Sequence, residues 1–356
     1  MLRLPALLDR YALALVATVI VAIAFPCRGE AATALDAVSA IAIALLFFLH
    51  GARLSRDAII AGLIHWRLHL LVLACTYVMF PLLGMGIEWL LPGGLLAADL
   101  MIGVLFLCAL PSTVQSSIAF TSIARGNVAA AVCSASLSNL LGVFLAPALV
   151  ALLLHAENSG GTALGSIGRI VMQLFVPFVA GHLARPLIGR LVDRSGRLLA
   201  YTDRGTVLLV VYTAFSASVV DGLWAQLPLA SLLILLGIVT LLLGLALGFT
   251  TLLSRLLGLS REDEIAVVFC GSKKSLASGV PIAKILFAGN PALGMIVVPV
   301  LLYHQLQLMV CAVLAQRYAS RLSQGGSDTR PLGAHRTATH PDSDRPAGRR
   351  TRPSDR

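Results

Sequence analysis

Two polar segments interrupt otherwise apolar stretches of this 356-residue chain and carry residue types that could bind an ion or a small polar molecule. One runs from Pro111 to Asn127 and the other from Phe269 to Lys284. Proline lacks a backbone donor and crowds the preceding turn, so Pro111 is expected to break its helix and free carbonyl groups. Non-helical backbone inside a bilayer persists only beside protein or a wet cavity. The nearby hydroxyl and amide groups can satisfy that backbone or bind a ligand, and their density favours a binding site.

The second segment holds all three lysines of the chain, namely Lys273, Lys274 and Lys284. Two adjacent ammonium groups near the middle of a membrane span are costly unless they are paired, neutral or facing water. Lysine, unlike arginine, can lose its proton when it is buried, so one of the pair could be neutral or could exchange a proton. We therefore predict a functional role for Lys273 and Lys274, whereas Lys284, near the end of its span, is expected to snorkel.

Polar residues in neighbouring apolar stretches could complete a cavity around these two segments. His304 alone is more often a packed, hydrogen-bonded histidine than a proton carrier, but beside two lysines both interpretations stay open. Thr76, Tyr77, Ser136 and Gln307 are further candidates for the cavity wall. The residues predicted to bind substrate or an ion are Thr113, Gln115, Ser116, Ser117, Ser134, Ser138, Asn139, Ser272, Lys273, Lys274, Ser275, His304 and Gln305.

Signatures of enzymes and of structural metal sites are missing from the sequence. It contains no phosphate-binding glycine loop, no dinucleotide fingerprint and no H-E-x-x-H motif. The six cysteines lie in or beside apolar runs without C-x-x-C spacing, so they are expected to be reduced core residues. We therefore expect no enzymatic activity, and no cofactor other than Na+ as a candidate coupling ion.

The composition is that of a polytopic membrane protein, since hydrophobic residues make up 58% of the chain and charged residues only 12%. A helix needs about 20 mostly apolar residues to span a bilayer. Ten spans of this kind are predicted: Arg10–Cys27, Ala34–His50, Leu68–Leu91, Ala98–Ala124, Val128–Leu154, Ile167–Leu187, Gly205–Leu223, Leu227–Leu257, Asp263–Phe287 and Pro291–Tyr318. A signal peptide over Tyr11–Phe25 is the alternative for the first span, but the next apolar run follows at once and favours an uncleaved helix.

Charge placement predicts the orientation of these spans. The net charge of +10 is carried by arginines of the short loops and the tail, with Arg53 and Arg204 among those on the predicted inner side. The positive-inside rule therefore places both termini in the cytoplasm of a protein of the cell inner membrane. This distribution favours membrane lipid over nucleic acid as a partner. Residues 323–356 are polar without an apolar run and are predicted to form a disordered basic cytoplasmic tail.

The predicted transporter domain, residues 1–322, divides into two sets of five spans. Because five is odd, the second set enters the membrane from the opposite side, as in the inverted repeats of many secondary transporters. Repeat one would cover about residues 4–156 and repeat two about residues 164–320.

The polar segments resemble the bile acid:sodium symporter superfamily, specifically its bacterial SBF-like branch. The matching segments are Phe47–Ser55, Leu110–Ser117, Ala124–Asn127 and Phe269–Leu276, and the resemblance extends roughly over residues 4–319. It implies a core domain of spans three to five and eight to ten that moves against a panel of spans one, two, six and seven. The fourth and ninth helices are broken and cross near the membrane centre in this fold.

The resemblance also implies an ion site, from which the sequence departs. In sodium-coupled members the crossing binds two Na+ ions beside the substrate, and Ser116 and Ser117 align with a Ser–Asn pair of Na+ ligands. However, Phe269 stands where the bile-acid branch has a sodium-binding glutamate, and Lys273 stands where a glutamine ligand is expected. Two like charges about 4 Å apart repel by roughly 4 kcal/mol at an effective dielectric constant of about 20. A protonated lysine could therefore stand in for a sodium ion.

The sequence thus predicts a secondary transporter that moves a small organic anion by alternating access, coupled to Na+, to protons or to neither. Cationic side chains and the N-termini of broken helices suit an anionic substrate. The alternative is a non-transporting membrane regulator of ion homeostasis, because a distant eukaryotic branch of the superfamily is linked to calcium homeostasis.

Overall fold

The computed structural model describes residues 10–53, 65–91, 95–154, 171–226 and 228–325, and these residues fold almost entirely into helices. Those from 10 to 319 belong to one compact unit. The tail predicted over residues 323–356 lies outside the described residues from position 326 onwards. In chain order the helices are α1 (Arg10–Ala24), α2 (Gly29–Arg53), α3 (Trp66–Leu90), α4 (Ala98–Ala109), α5 (Gln115–Ile123), α6 (Val128–Leu153), α7 (Val176–Arg194), α8 (Gly196–Val220), α9 (Leu229–Leu256), α10 (Arg261–Gly271), α11 (Leu276–Leu286) and α12 (Leu293–Gly325).

Several of these helices are built to cross a lipid bilayer. Seven helical segments among the described residues are long and apolar enough to do so: Gly29–Arg53, Trp66–Leu90, Val128–Leu153, Leu199–Val220, Leu229–Leu256, Arg261–Leu286 and Leu293–Ser320. Their outer faces carry large exposed apolar side chains such as Ile41, Leu82 and Leu233. Exposure of such side chains is unfavourable in water and favourable in lipid. The prediction of an all-helical, multi-pass membrane protein is therefore confirmed.

The predicted spans coincide with described helices wherever the two can be compared. Span four is the pair α4 and α5, and span nine is the pair α10 and α11, so both polar segments do interrupt a helix. The start of span six at Ile167 lies outside the described residues. The total of ten spans and their arrangement as inverted repeats remain predictions.

Helices α2 and α7 approach each other closely through two glycines. A Cβ atom on Gly51 would overlap the carbonyl of Phe178, and one on Gly181 would overlap the carbonyl of Phe48. Small residues let membrane helices bring their backbones into contact, where packing replaces the hydrophobic driving force. This contact fixes the end of α2 that carries His50.

A second tie joins α2 to the broken helix α11. Lys284 Nζ donates to Asp36 Oδ1 at 2.7 Å. Lys284 therefore pairs with a half-exposed carboxylate of the neighbouring helix, and its expected snorkelling stays a prediction.

Candidate functional site

The two helix breaks meet and satisfy each other's backbone groups. Pro111 ends α4, and residues 110–114 are non-helical before α5 begins. Ser112 Oγ donates to the Cys270 carbonyl at 2.5 Å, and Ser117 Oγ donates to the Phe269 carbonyl at 2.8 Å. In return, the N–H of Ser275 donates to the Pro111 carbonyl at 2.8 Å. The carbonyls left over where α10 ends therefore find hydroxyl donors in the other break.

Helix α12 holds the second break from another side. Tyr303 Oη donates to the Ser272 carbonyl at 2.7 Å. The side-chain amide of Gln307 accepts from the N–H of Lys274 and donates to its carbonyl, each at 3.0 Å. Tyr303 and Gln307 are fully buried, so the non-helical turn at residues 272–275 is fixed in a dry environment.

Lys274 is enclosed by carbonyl oxygens. Its Nζ donates to the carbonyls of Leu110 at 2.7 Å, Thr76 at 2.8 Å and Cys108 at 2.9 Å. The same nitrogen lies 4.1 Å from the centre of the Phe80 ring. All three donors of an ammonium group are thus used within the protein.

Lys273 has a different environment from its neighbour. Its side chain is fully buried, yet Nζ has no hydrogen-bond partner among the described residues. It lies 3.9 Å from the ring centre of Phe120 and 5.7 Å from that of Phe269, so its main contacts are cation–π contacts. Phe120 also lines the cavity described next, whereas Lys273 does not.

A cavity of about 500 Å³ lies beside the two breaks. The N-terminal ends of α5 and α11 both open onto it, through residues 113–116 and 275–278. Helices α1, α2, α7 and α8 contribute further lining residues. Seven of the predicted binding residues line this cavity: Thr113, Gln115, Ser116, Asn139, Ser275, His304 and Gln305.

Unsatisfied hydroxyl groups mark the wall formed by the first break. Thr113 Oγ1 and Ser116 Oγ are buried and have no hydrogen-bond partner among the described residues. A buried hydroxyl normally finds a partner, so a water or a ligand atom is expected beside each. Asn139, another lining residue, does have a partner, because its Oδ1 accepts a hydrogen bond from Ser278 Oγ at 2.7 Å.

The six other predicted residues lie behind the cavity wall. Ser134 Oγ lies 2.7 Å from His69 Nδ1, and Ser138 Oγ accepts from the N–H of Ser112 at 3.1 Å. Ser272 Oγ donates to the carbonyl of Val268, four residues earlier in its own helix. Ser117, Lys273 and Lys274 make the contacts given above. Of the predicted Na+ pair, Ser116 therefore faces the cavity, whereas Ser117 supports a helix end.

Charged groups that the sequence analysis did not assign to the site also line the cavity. Arg53 and Arg204 were interpreted only as orientation signals, and Asp203 was not considered. Asp203 Oδ2 lies 3.4 Å from Arg53 Nη1, and Asp203 Oδ1 lies 3.6 Å from His50 Nε2. Arg204 also packs over the ring of Tyr11, with Cζ 5.3 Å from the ring centre. Asp203 and Arg204 are adjacent at the start of an apolar stretch, and this pattern could have indicated from the sequence that they belong to a site.

The described residues offer no conventional metal centre. No group of three or more His, Cys, Asp or Glu side chains is arranged to hold a metal ion within the described ranges. All six cysteines are free, and four of them are buried: Cys75, Cys108, Cys270 and Cys311.

Two broken helices that meet beside a polar cavity, inside a multi-pass helical bundle, are the architecture of a secondary transporter. Comparison with known proteins narrows this class. The profile of the SBF-like CPA transporter family matches residues 9–320, so the chain belongs to that family, and the predicted resemblance is confirmed.

Relatives occur in bacteria and in vertebrates. The chain is 61% identical over 313 residues to the uncharacterized protein PA2026 of Pseudomonas aeruginosa, covering 88% of this chain and 93% of that protein. It is 50% identical over 325 residues to a protein of Escherichia coli named "Putative symporter YfeH", covering 91% and 96% of the two chains. It is 30% identical over 299 residues to mouse sodium/bile acid cotransporter 7, covering 83% and 87%.

Proposed function

We propose that this protein is a secondary transporter that moves a small organic anion through the cavity by alternating access. The observation that carries the proposal is the meeting of two helix N-termini and two arginines around one cavity of about 500 Å³. A cavity of this size suits a small molecule, and it is larger than a bare ion requires.

The electrostatics of the cavity favour a negative substrate. Its charged lining residues are Arg53, Arg204 and Asp203, which leaves one positive charge when the histidines are neutral. The N-terminus of each of α5 and α11 adds a partial charge of about +0.5. Gln115 and Gln305 supply amide groups that can hydrogen-bond a carboxylate or a hydroxyl group of the substrate.

The two lysines are proposed to contribute at different depths. Lys274 neutralises the carbonyl end of α4, and Lys273 contacts the ring of Phe120, which lines the cavity. A proton or a substrate charge beside Phe120 in the cavity would therefore be close enough to act on Lys273. This is the arrangement expected of a group that neutralises substrate or responds to protons.

The fold proposed for this function has ten transmembrane helices in two inverted repeats, with broken helices four and nine. In this arrangement the breaks observed at residues 110–114 and 272–275 would occupy equivalent positions, each in the fourth span of its half. A core that carries both breaks would move against a panel that carries Arg53 and Arg204. Both termini would be cytoplasmic, in the cell inner membrane, as the arginine distribution predicts.

The names of the relatives support symport for this chain, because one is called a symporter and another a sodium/bile acid cotransporter. Two experiments in sequence identify the transported anion and the ion to which its transport is coupled. Thermal-shift screening of purified protein against organic acids, with and without Na+, selects an anion. Uptake of that anion into proteoliposomes is then measured under separate Na+ and pH gradients.

Two arginine variants sharpen this experiment. Arg53→Gln removes a cation from the cavity lining, whereas Arg255→Gln removes one that pairs with Glu264 outside it, at 3.2 Å. Saturable uptake that Arg53→Gln reduces and Arg255→Gln leaves intact is the expected result. If no organic anion is bound or taken up under any gradient, the proposal is wrong.

A further inference from the structure

The carbonyl cage around Lys274 has the composition of a cation site. Three backbone oxygens converge on one point at 2.7–2.9 Å from Nζ, and the lysine side chain is 1% exposed. Carbonyls of unwound helices and of half-helix C-termini are the groups with which transporters coordinate Na+. Here the point is occupied by a nitrogen of the protein's own chain.

The local sequence explains why these carbonyls are available. In α3, the wider turn Cys75–Met79 makes the N–H of Phe80 donate to the carbonyl of Cys75. The next residue, Pro81, has no N–H, so the carbonyl of Thr76 lacks its helical donor. An orphan carbonyl is thus built into α3.

The other two oxygens belong to the end of α4. The helical donor for the Cys108 carbonyl would be the N–H of Ser112, which instead donates to Ser138 Oγ at 3.1 Å. Leu110 lies at the C-cap, where carbonyls have no helical partner. The C-terminus of a helix also carries a partial charge of about −0.5, which favours a cation at this point.

The number of acceptors around Lys274 bears on its protonation state. An ammonium group has three N–H donors and matches three carbonyls, whereas a neutral amine has two and would leave one carbonyl unsatisfied. Leaving a buried acceptor without a donor is costly. The geometry of the cage therefore favours the charged form of Lys274.

We infer that Lys274 is a tethered cation whose ammonium group fills a carbonyl site for a monovalent cation, so that the chain supplies this charge itself and does not take up Na+ there. The inference deepens the proposed function, because in a transporter of this family it removes one dependence on Na+. The chemistry of the cage does not depend on transport, so it can be tested without flux.

The first test compares thermal unfolding in sodium chloride and in choline chloride at equal ionic strength. Lys284→Ala, which alters the lysine paired with Asp36, is expected to show the same difference in melting temperature between the two salts as wild type. Lys274→Ala empties the cage and is expected to melt lower in choline chloride, with a saturable upward shift as Na+ is added. Lys274→Met fills the same space without donors and is expected to melt lower in both salts.

The result that would overturn the inference is a Lys274→Ala variant whose melting temperature responds to Na+ no more than that of wild type. If this variant fails to fold, wild-type protein decides the question. Because the chain has only three lysines, selective 15N labelling of lysine gives three Nζ signals. Lys273→Met and Lys284→Ala identify the Lys274 signal by elimination. An ammonium signal at neutral pH with slow hydrogen exchange is expected, and a neutral amine signal would refute the inference.

Uptake in proteoliposomes separates this inference from the proposed function. Lys274→Ala is expected to make anion uptake more dependent on Na+ than it is in wild type. If wild type shows no uptake at all, the proposed function fails, whereas the unfolding and labelling experiments still test the cation site. If uptake occurs but the melting temperature of Lys274→Ala does not respond to Na+, the inference is wrong and the proposed function stands.

Discussion

Replacement of Gln307 by leucine tests the structural account of the second helix break. The side-chain amide of Gln307 pairs with both the N–H and the carbonyl of Lys274, and no part of the side chain is exposed. Leucine has a similar volume but cannot hydrogen-bond, so the two backbone groups lose their partners in a dry environment. Each orphaned buried group costs about 1–3 kcal/mol, which gives a loss of about 2–6 kcal/mol in the free energy of unfolding.

The chain offers a matched control two residues away on the same helix. Gln305 lines the cavity and is half-buried, so Gln305→Leu is expected to change the free energy of unfolding by no more than about 0.5 kcal/mol. The proposed function assigns it to the substrate, and Gln305→Leu is therefore expected to weaken binding of the anion. The two variants make the same chemical change with opposite consequences.

Unfolding of both variants is followed in the same detergent by denaturant titration, and ligand binding by thermal shift. If Gln307→Leu proves no less stable than Gln305→Leu, the amide of Gln307 does not hold the break together. The same conclusion would follow if Gln307→Leu lost ligand binding while its unfolding was unchanged.

Three further predictions concern the packing and the buried charges. Gly51→Ala places a Cβ against a carbonyl of the facing helix, and such overpacking is expected to lower the free energy of unfolding by about 1–3 kcal/mol in denaturant titration, unless α2 and α7 can separate. Lys273→Met removes a buried cation that has no hydrogen-bond partner within the described part of the chain, so stability should stay unchanged or rise. Lys274→Met, one residue further on, leaves three carbonyls without donors and should lower the free energy of unfolding by about 3 kcal/mol or more. Equal shifts of the denaturation midpoint in the two variants would contradict the different roles of these lysines. Lys284→Ala removes an ion pair whose acid is half-exposed, so a loss above about 1 kcal/mol in the same titration would be unexpected.

The fold was largely accessible from the sequence because its causes are local. Long apolar runs mark the membrane helices, and Pro111 within a polar run marks the break between α4 and α5. The second break has no proline at its centre, but adjacent lysines in an apolar run cannot stay in an ordinary lipid-facing helix. Both interruptions are accordingly found where the residue types predict them.

The assignment of individual side chains was less accessible. Successive residues of a helix point about 100° apart, so neighbouring residues of one type meet different surroundings. Ser116 faces the cavity and has no hydrogen-bond partner in the ranges that the structure describes, whereas Ser117 donates to a carbonyl of the other break. Lys273 and Lys274 also have different surroundings, although they lie in the non-helical turn between α10 and α11. The sequence alone cannot show which of two adjacent polar residues the partner helix will use.

The remaining part of the site depends on contacts between distant segments. Arg53 and Asp203 are 150 residues apart and meet because the paired glycines bring α2 and α7 together and α8 follows directly. No local pattern connects them. The cationic wall of the cavity, which supports an anionic substrate, is therefore the feature for which the structure was needed.

The central claim, that the cavity carries an anion across the membrane, is tested most directly by counterflow in proteoliposomes. Vesicles loaded with the unlabelled anion found by thermal-shift screening are diluted into a trace of the labelled anion. The account predicts transient accumulation of label that wild-type protein supports and that Arg53→Gln reduces, with Arg255→Gln equal to wild type. Binding of the same anion without any accumulation of label would contradict transport, and would instead indicate a membrane protein that senses the anion.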